Sequence, residues 1–597
     1  MKRFLQFMLG AGVCATAMAI PAKPGFVTFI QPDGTEVEIR MVGDEHGHIT
    51  YSEDGLVLVN VGNHLEYARF DAAGVPQPSG MLVGRNKLDA ALAGRLQTSD
   101  QIERWAGKMT TARNSRLASA NSGAEERSAS GLTGYARAVR AAEDQTDAGE
   151  GGEERVVPLN FGRCESSFPV KGEQKGLVIL VEYEDLEFKY GDYDYFYRML
   201  NEEGFSDHGS LGSVRDWFVQ NSGGQFVPDF DVYGPVKLPK KRSYYGGNDI
   251  YGNDKNPHMM VIHACDSLDK DVDFTQYDRD GDGKIDNVFI FYAGKGEHDS
   301  NVANAVWPHS WDVSIANPDS TYMYDGVVLD HYACTCEYPS GYKRPDGIGT
   351  FVHEFSHVMG LPDLYVTTYT GGFTPGPWSV LDSGPYNNDR LTPPNYSSFE
   401  KCALGWVDMQ PMEEGTLELT DFSDSNFAYV LPTDRKEEFY FFENRQQTGN
   451  DQFLPYHGML VWRVDYKKSV WDNNTVNNSS SHQRVDLIEA DNKKTESTRD
   501  GDSFPGVAGI TELTFETKPR LASWNNKALA FDIKNIEETA DGLIRFDAVK
   551  RAEDIPDSVG EIDTEEAPDV YFDLMGRRVV NPSAGIYVAG GRKVVVK

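Results

Sequence analysis

The string HEFSHVMGLPD, residues 353–363, constrains this chain more tightly than any other stretch. His353 and His357 are four residues apart, so on a helix they share one face and can grip a single metal ion. The surrounding residues 347–360 have the helical period, with Ile348, Val352, Phe355 and Met359 on one side. Glu354 lies between the two histidines, where it can hydrogen-bond a water held by the metal and take its proton as general base. Gly360 follows one turn later, where a helix can stop and the backbone can take positive φ. The chain then turns back and delivers Asp363. A helix, a tight turn and a returning carboxylate must therefore meet at one point.

Two histidines and an ion of this kind call for zinc and a third protein ligand. Asp363, six residues after the second histidine, is the favoured candidate. The alternative is a glutamate on a downstream helix, and the first Glu after Glu354 is Glu400. An aspartate would lower the site charge to about +1, against +2 for three neutral histidines, so the bound water would be less acidic and Glu354 more important.

A second candidate site is DRDGDGKID, residues 278–286. Asp278, Asp280 and Asp282 alternate, Gly283 permits a sharp turn, and Asp286 adds another oxygen, which matches the first half of a calcium loop. Phe289 stands where an EF-hand has its bidentate glutamate, so the other ligands must come from elsewhere. His309 and His331 read as structural. Tyr386 reads as a core or surface tyrosine that could polarise a substrate carbonyl, and Cys164 as a thiol that could quench the zinc. There is no GxSxG, and no Cys–His signature points to nucleophilic hydrolysis.

The rest of the chain frames these sites. Its 597 residues suggest about three to five units. With 57 basic and 92 acidic side chains the formal charge is −35, which repels phosphate backbones and argues against a nucleic-acid partner. Residues 1–19 read as an export signal: Lys2 and Arg3, an apolar stretch from Phe4 to Val13, and the small-residue cleavage site Ala17-Met18-Ala19. Beyond it no apolar run is long enough to span a bilayer. Loss of Cys14 with the signal would leave five cysteines, so at least one thiol lacks an internal partner.

Residues 20–105 look strand-rich, with Val37–Arg40 and Leu56–Val59 between Gly/Asp turns. Residues 106–165 are rich in Ala, Ser, Gly, Glu and Arg and read as a flexible linker or activation region. A trypsin-like protease could cut it at Arg113, Arg116, Arg127, Arg137, Arg140 or Arg155. Residues 166–412 alternate strands (GLVILVEY, NVFIFYA) with helices (GSVRDWFVQ) and predict an α/β or α+β catalytic domain. Residues 413–549 predict a β-sandwich, residues 550–568 an acidic linker, and residues 569–597 a separate strand-rich tail.

HEFSHVMGLPDLY resembles the metal site of the immune inhibitor A-type metallopeptidases, a metzincin-related group with the pattern HExxHxxGxxD. The resemblance extends in order over residues 170–545, through VILVEYEDLEF, GSVRDWFVQNSGGQF, DRDGDGKIDNVFIFYAG, WPHSW, PWSVLDSG, ENRQQTGND and GMLVWRVD. GDEHGHITYSEDGLVLV is similar to the propeptide of the same family. The resemblance implies a multidomain chain: a metzincin-like zincin catalytic domain behind a small N-terminal β-rich prodomain, followed by the C-terminal β-sandwich. One departure is Leu381, which stands where metzincins place a methionine beneath the metal; leucine matches it in volume and polarity. The tail, with YFDLMGRRV, Gly585-Ile586-Tyr587 and a basic last strand, resembles the C-terminal sorting domains of type IX secretion cargo.

The expectation is a zinc-dependent endopeptidase made as a zymogen, with Glu354 as general base, one catalytic zinc and a structural calcium. Its partners would be extracellular protein or peptide substrates and the type IX secretion machinery, and its location secreted or attached at the cell surface. Alternatives are a catalytically impaired surface adhesin on a zincin scaffold and a zinc amidase acting on cell-wall peptides.

Overall fold

The computed structural model describes residues 18–128, 156–551 and 571–596, less 63, 87, 159, 160, 370, 573–577, 581, 583, 590 and 591. The export-signal residues 1–17 and nearly all of the acidic linker lie outside the described residues. The chain divides into two compact units, residues 1–548 and 549–597. Among the described residues no helix is long and apolar enough to cross a membrane.

In the first unit, residues 27–82 form a six-stranded antiparallel sheet in which every strand pairs with its sequence neighbour. The alternation of Val37, Ile39 and Met41 with Glu36, Glu38 and Arg40 puts one face of Glu36–Asp44 inward and the other in solvent. The hairpin from Glu36–Asp44 to Gly47–Ser52 turns on Gly47, at φ +127°, and a Cβ there would stand 2.2 Å from the Tyr251 carbonyl oxygen. Glycine thus lets the hairpin tip press against the segment around Tyr251.

The linker expected from residue 106 onward begins instead as helix. Ser99–Ser128 is α-helical, and Trp105, Ala106, Met109 and Arg113 are buried along it. The Ala, Arg and Glu content that reads as a tether is equally that of a strong helix former. Arg113, an expected cleavage point, is fully buried against Asp44 at 3.3 Å. Residues 129–155 lie outside the described residues.

The segment around the metal motif is built on a five-stranded sheet ordered His309–Asp312, His331–Cys336, Val288–Tyr292, Gly172–Glu182 and Phe226–Lys237. All neighbours are parallel except the edge strand His309–Asp312, which runs antiparallel. Val288–Tyr292 is buried at every residue because both faces are covered. One face carries the helix Ile348–Val358, whose Phe351 ring lies 4.0 Å from that of Phe289. The other carries the helix His258–Leu268 through Val261, Ile262 and Cys265. The helix Val214–Asn221, where the sequence places one, starts with a Ser213–Asp216 capping box.

From residue 410 a five-stranded sheet and a three-stranded sheet share one core. Tyr440, Phe442, Met459 and Val461 point toward Leu419, Ile533, Ile544 and Phe546 of the smaller sheet. The intervening Phe439, Phe441, Leu460 and Trp462 join the core that also holds Phe355, Phe399 and Leu381. The sheet therefore braces the metal motif from behind. In the second unit, Tyr571–Phe572, Arg578–Val579, Gly585–Ala589 and Arg592–Val596 form an antiparallel four-stranded sheet.

Candidate metal centre

The helix Ile348–Val358 is buried along its whole length. Its His353 and His357 bring their Nε2 atoms to 3.1 Å, and Asp363 Oδ1 stands 3.4 Å from the first and 3.3 Å from the second. Three donors on one tetrahedral ion at bond lengths of about 2.0–2.1 Å lie about 3.3–3.4 Å apart, so the triangle has the size zinc requires. The second nitrogen of each ring is tied to the backbone: His353 Nδ1 to the Val380 carbonyl at 2.7 Å, His357 Nδ1 to the Leu361 carbonyl at 2.8 Å. Those bonds place the ring protons on Nδ1 and leave the Nε2 lone pairs facing inward. Gly360, at φ +92°, makes the turn; a Cβ there would meet the Cys164 carbonyl oxygen at 2.6 Å.

Asp363 is fixed from residue 474. Its N–H donates to Asn474 Oδ1 at 2.9 Å, and Asn474 Nδ2 donates to Asp363 Oδ2 at 2.6 Å. Its other oxygen, Oδ1, is buried without a hydrogen-bond donor and faces the two imidazoles. A buried, orphaned carboxylate oxygen beside two aimed imidazole lone pairs is the donor set a divalent cation fills, and the residues present fit zinc. Burial alone would raise the Asp363 carboxyl, but His357 and His353 outweigh it and hold it below the usual carboxylate range. Burial lowers His357, favouring the neutral, ligating form, and raises Glu354 well above its ordinary value.

Glu400, the alternative ligand, is engaged elsewhere. It accepts from Ser379 Oγ at 2.7 Å and from the Ser397 N–H at 2.6 Å in a capping box, outside the three-donor cluster. Leu381 is fully buried, and its carbonyl accepts the Leu364 N–H at 2.8 Å. Cys164 is also outside the cluster and donates its backbone N–H to the Gly360 carbonyl. His309 and His331 are structural partners of Tyr332 and Asp312, as the sequence suggests.

A segment of the chain's own N-terminal region lies against Glu354 and Tyr365. Met18 pairs with Ser310 in both directions, at 3.0 and 2.7 Å, adding to the free edge of His309–Asp312. Tyr365 Oη donates to the Ala19 carbonyl at 2.7 Å, and the Ile20 N–H donates to Glu354 Oε1 at 2.9 Å. Beyond that, Trp307 Nε1 donates to the Ile20 carbonyl at 2.9 Å, Tyr386 Oη to the Pro21 carbonyl at 2.6 Å, and the Lys23 N–H to the His298 carbonyl at 2.9 Å. Tyr365 and Trp307 fall inside HEFSHVMGLPDLY and WPHSW, but nothing in those strings announces a contact with residues 19 and 20; His298 and Asn474 carry no local sequence signal. Their partners are backbone groups or side chains remote in the chain.

At the second candidate site, oxygens of Asp278, Asp280 and Asp286 lie within 4.8 Å of one another. Asp282 is not among them; its Oδ1 accepts the Lys284 N–H at 2.8 Å, so the fourth expected ligand turns into the loop. Asp286 is almost fully buried with Oδ1 unpartnered, and burial together with Asp280 and Asp278 pushes its carboxyl up to about 8.

Comparison with known proteins places these features in a family segment. Residues 170–407 match the family described as immune inhibitor A peptidase M6, catalytic domain. Immune inhibitor A of Bacillus thuringiensis subsp. alesti is 29% identical over 300 residues, covering 41% of this chain and 43% of that protein. The pre-pro-metalloprotease PrtV of Vibrio cholerae serotype O1 is 26% identical over 366 residues, covering 49% of this chain and 38% of that protein. The chain thus spans less than half the length of these relatives. Within residues 170–407, which hold the three donors, Glu354, Tyr365 and Tyr386, this chain is similar to the catalytic domain of the M6 metallopeptidases.

Proposed function

We propose that this chain is a zinc endopeptidase made in a latent form and exported from the cell. The observation that carries the reading is the meeting of three convergent donors, an adjacent carboxylate and a peptide bond. Zinc held by His353, His357 and Asp363 would supply Lewis acidity toward a water and a peptide carbonyl. Glu354 takes the proton of the attacking water as general base. Its Oε1 is 2.9 Å from the Ile20 nitrogen, where the nitrogen of a leaving group would stand to receive that proton. The bound segment is held on both sides of the Ala19–Ile20 bond, through Met18 before it and through Pro21 and Lys23 after it, which favours cleavage within polypeptides over an amidase acting on cell-wall peptides.

The same segment accounts for latency. In a chain that still carries Met18 and Ala19, a substrate finds the edge strand, Glu354, Tyr365 and Tyr386 already engaged; in a chain cut after Ala19, residues 20–23 still engage Glu354, Trp307 and Tyr386. If the export signal is removed after Ala19, the Ile20 nitrogen becomes a free ammonium beside Glu354 and strengthens that contact through charge. Activation then requires the segment from Ile20 onward to leave. Calcium is the fitting occupant of Asp278, Asp280 and Asp286, where it would offset three close carboxylates. The C-terminal sheet would serve the type IX secretion machinery, and the substrates would be extracellular proteins.

Glu354→Ala tests the mechanism. The activated variant should bind one zinc per chain and lose at least about 1,000-fold in kcat on casein or a quenched peptide. Retention of full activity by that variant would end the reading.

A further inference from the structure

The peptide lying across the centre has a register, and the register assigns roles that the sequence does not. The Ala19–Ile20 bond is the one whose nitrogen faces Glu354. If it stands where a scissile bond stands, Ala19 is the residue before the cut, and Ile20, Pro21 and Lys23 are the first, second and fourth after it. The carbonyl of the bond to be cut is then the Ala19 carbonyl, and the group donating to it at 2.7 Å is the Tyr365 phenol. Tyr386, the tyrosine the sequence singles out for that task, instead donates to the Pro21 carbonyl, two residues along. Trp307 Nε1 takes the carbonyl between them.

We propose, resting on the peptidase reading above, that Tyr365 is a catalytic residue that stabilises the oxyanion, and that Tyr386 and Trp307 are binding residues for the chain after the cut. In the step, the water oxygen bonds to the carbonyl carbon and its proton goes to Glu354. Negative charge grows on the carbonyl oxygen while Tyr365 keeps its proton and shortens its hydrogen bond. The carbon–nitrogen bond then breaks as the proton passes from Glu354 to the leaving nitrogen, the second proton of the water follows it, and a carboxylate and an ammonium group result. Tyr365 is placed for this by the chain itself: it follows Asp363 by two residues, and Asp363 is clamped by Asn474. Its hydroxyl therefore keeps a fixed relation to the donors, as electrostatic stabilisation of a transition state requires.

The test uses the activated, zinc-loaded protein and quenched peptides extending both ways from the cut. Tyr365→Phe should lower kcat about 100-fold with KM within about threefold of wild type. It should weaken a phosphinic-peptide inhibitor, a tetrahedral mimic, by a similar factor while leaving the affinity of a product peptide unchanged. Tyr386→Phe should do the reverse: KM rises about tenfold for peptides with two or more residues after the cut, with kcat within about threefold. Rates are normalised to bound zinc, so a misfolded fraction does not count. Tyr365→Phe with kcat near wild type, or with phosphinic and product peptides weakened equally, overturns the assignment. A zinc-loaded wild type that cleaves no peptide overturns the peptidase reading itself.

Discussion

Asp363 supplies the sole negative charge among the three proposed donors, and its orientation depends on a residue 111 positions away. Asn474 both accepts from its backbone and donates to Oδ2. Asn474→Ala should therefore lower zinc affinity about 10- to 100-fold, measured by competition with a chromogenic chelator, without removing any ligand. His309 makes a second residue-scale prediction. Burial between Trp307 and Tyr332 lowers its pKa to about 4, below the ordinary 6.5. A group that protonates less readily when folded favours the folded state above the unfolded pKa. Its contribution, on the order of 3 kcal/mol, is lost as pH falls from about 6.5 to about 4. Thermal melts across that range should show a steeper acid loss in wild type than in His309→Gln. His353, Glu354, His357 and Asp363 were legible in the sequence because helix period and one glycine bring them together within eleven residues. Asn474, Tyr365 and Trp307 were not, because their roles come from contacts made only after the chain has folded back on itself.

At the scale of elements, the buried strands and the motif helix follow from short apolar runs and a 3.6-residue period, and they stand where the pattern puts them. The helix Ser99–Ser128 differs from the tether its composition suggests, because composition does not distinguish the two; four buried residues decide it. The strand Glu438–Arg445 ends in a guanidinium with no exposure, paired with Glu443 at 3.2 Å and Asp451 at 2.5 Å and donating to the Asn395 carbonyl. It ties the large sheet of the C-terminal half to the segment that leads into Tyr396. Arg445→Ala strands two buried carboxylates and should cost about 3–5 kcal/mol in urea unfolding.

For the molecule as a whole, the cleft and the segment that fills it belong to one polypeptide, with Ile20 reaching Trp307 across 287 positions and Glu354 across 334. Nothing in the spacing of residues 18–23 announces this, since nearly all their contacts are made by backbone groups. The latent reading predicts that protein beginning at Ile20 is inactive on casein, and that cleavage of the chain within residues 129–155 alone leaves it so until the N-terminal segment dissociates. A short peptide of residues 20–26 added to activated protein should inhibit competitively. The Asp278, Asp280 and Asp286 cluster makes a separate prediction: micromolar calcium should raise the melting temperature of wild type by several degrees and that of Asp286→Asn by far less.

The central claim is the identity of the metal and its donors. X-ray absorption at the zinc edge on purified protein, with metal content measured on the same sample, tests it most directly. The account predicts one zinc per chain bound by two imidazole nitrogens and a carboxylate oxygen at about 2.0–2.1 Å, with stoichiometry lost in His353→Ala. A sample without stoichiometric zinc after loading, or a zinc shell that His353→Ala leaves unchanged, would contradict it.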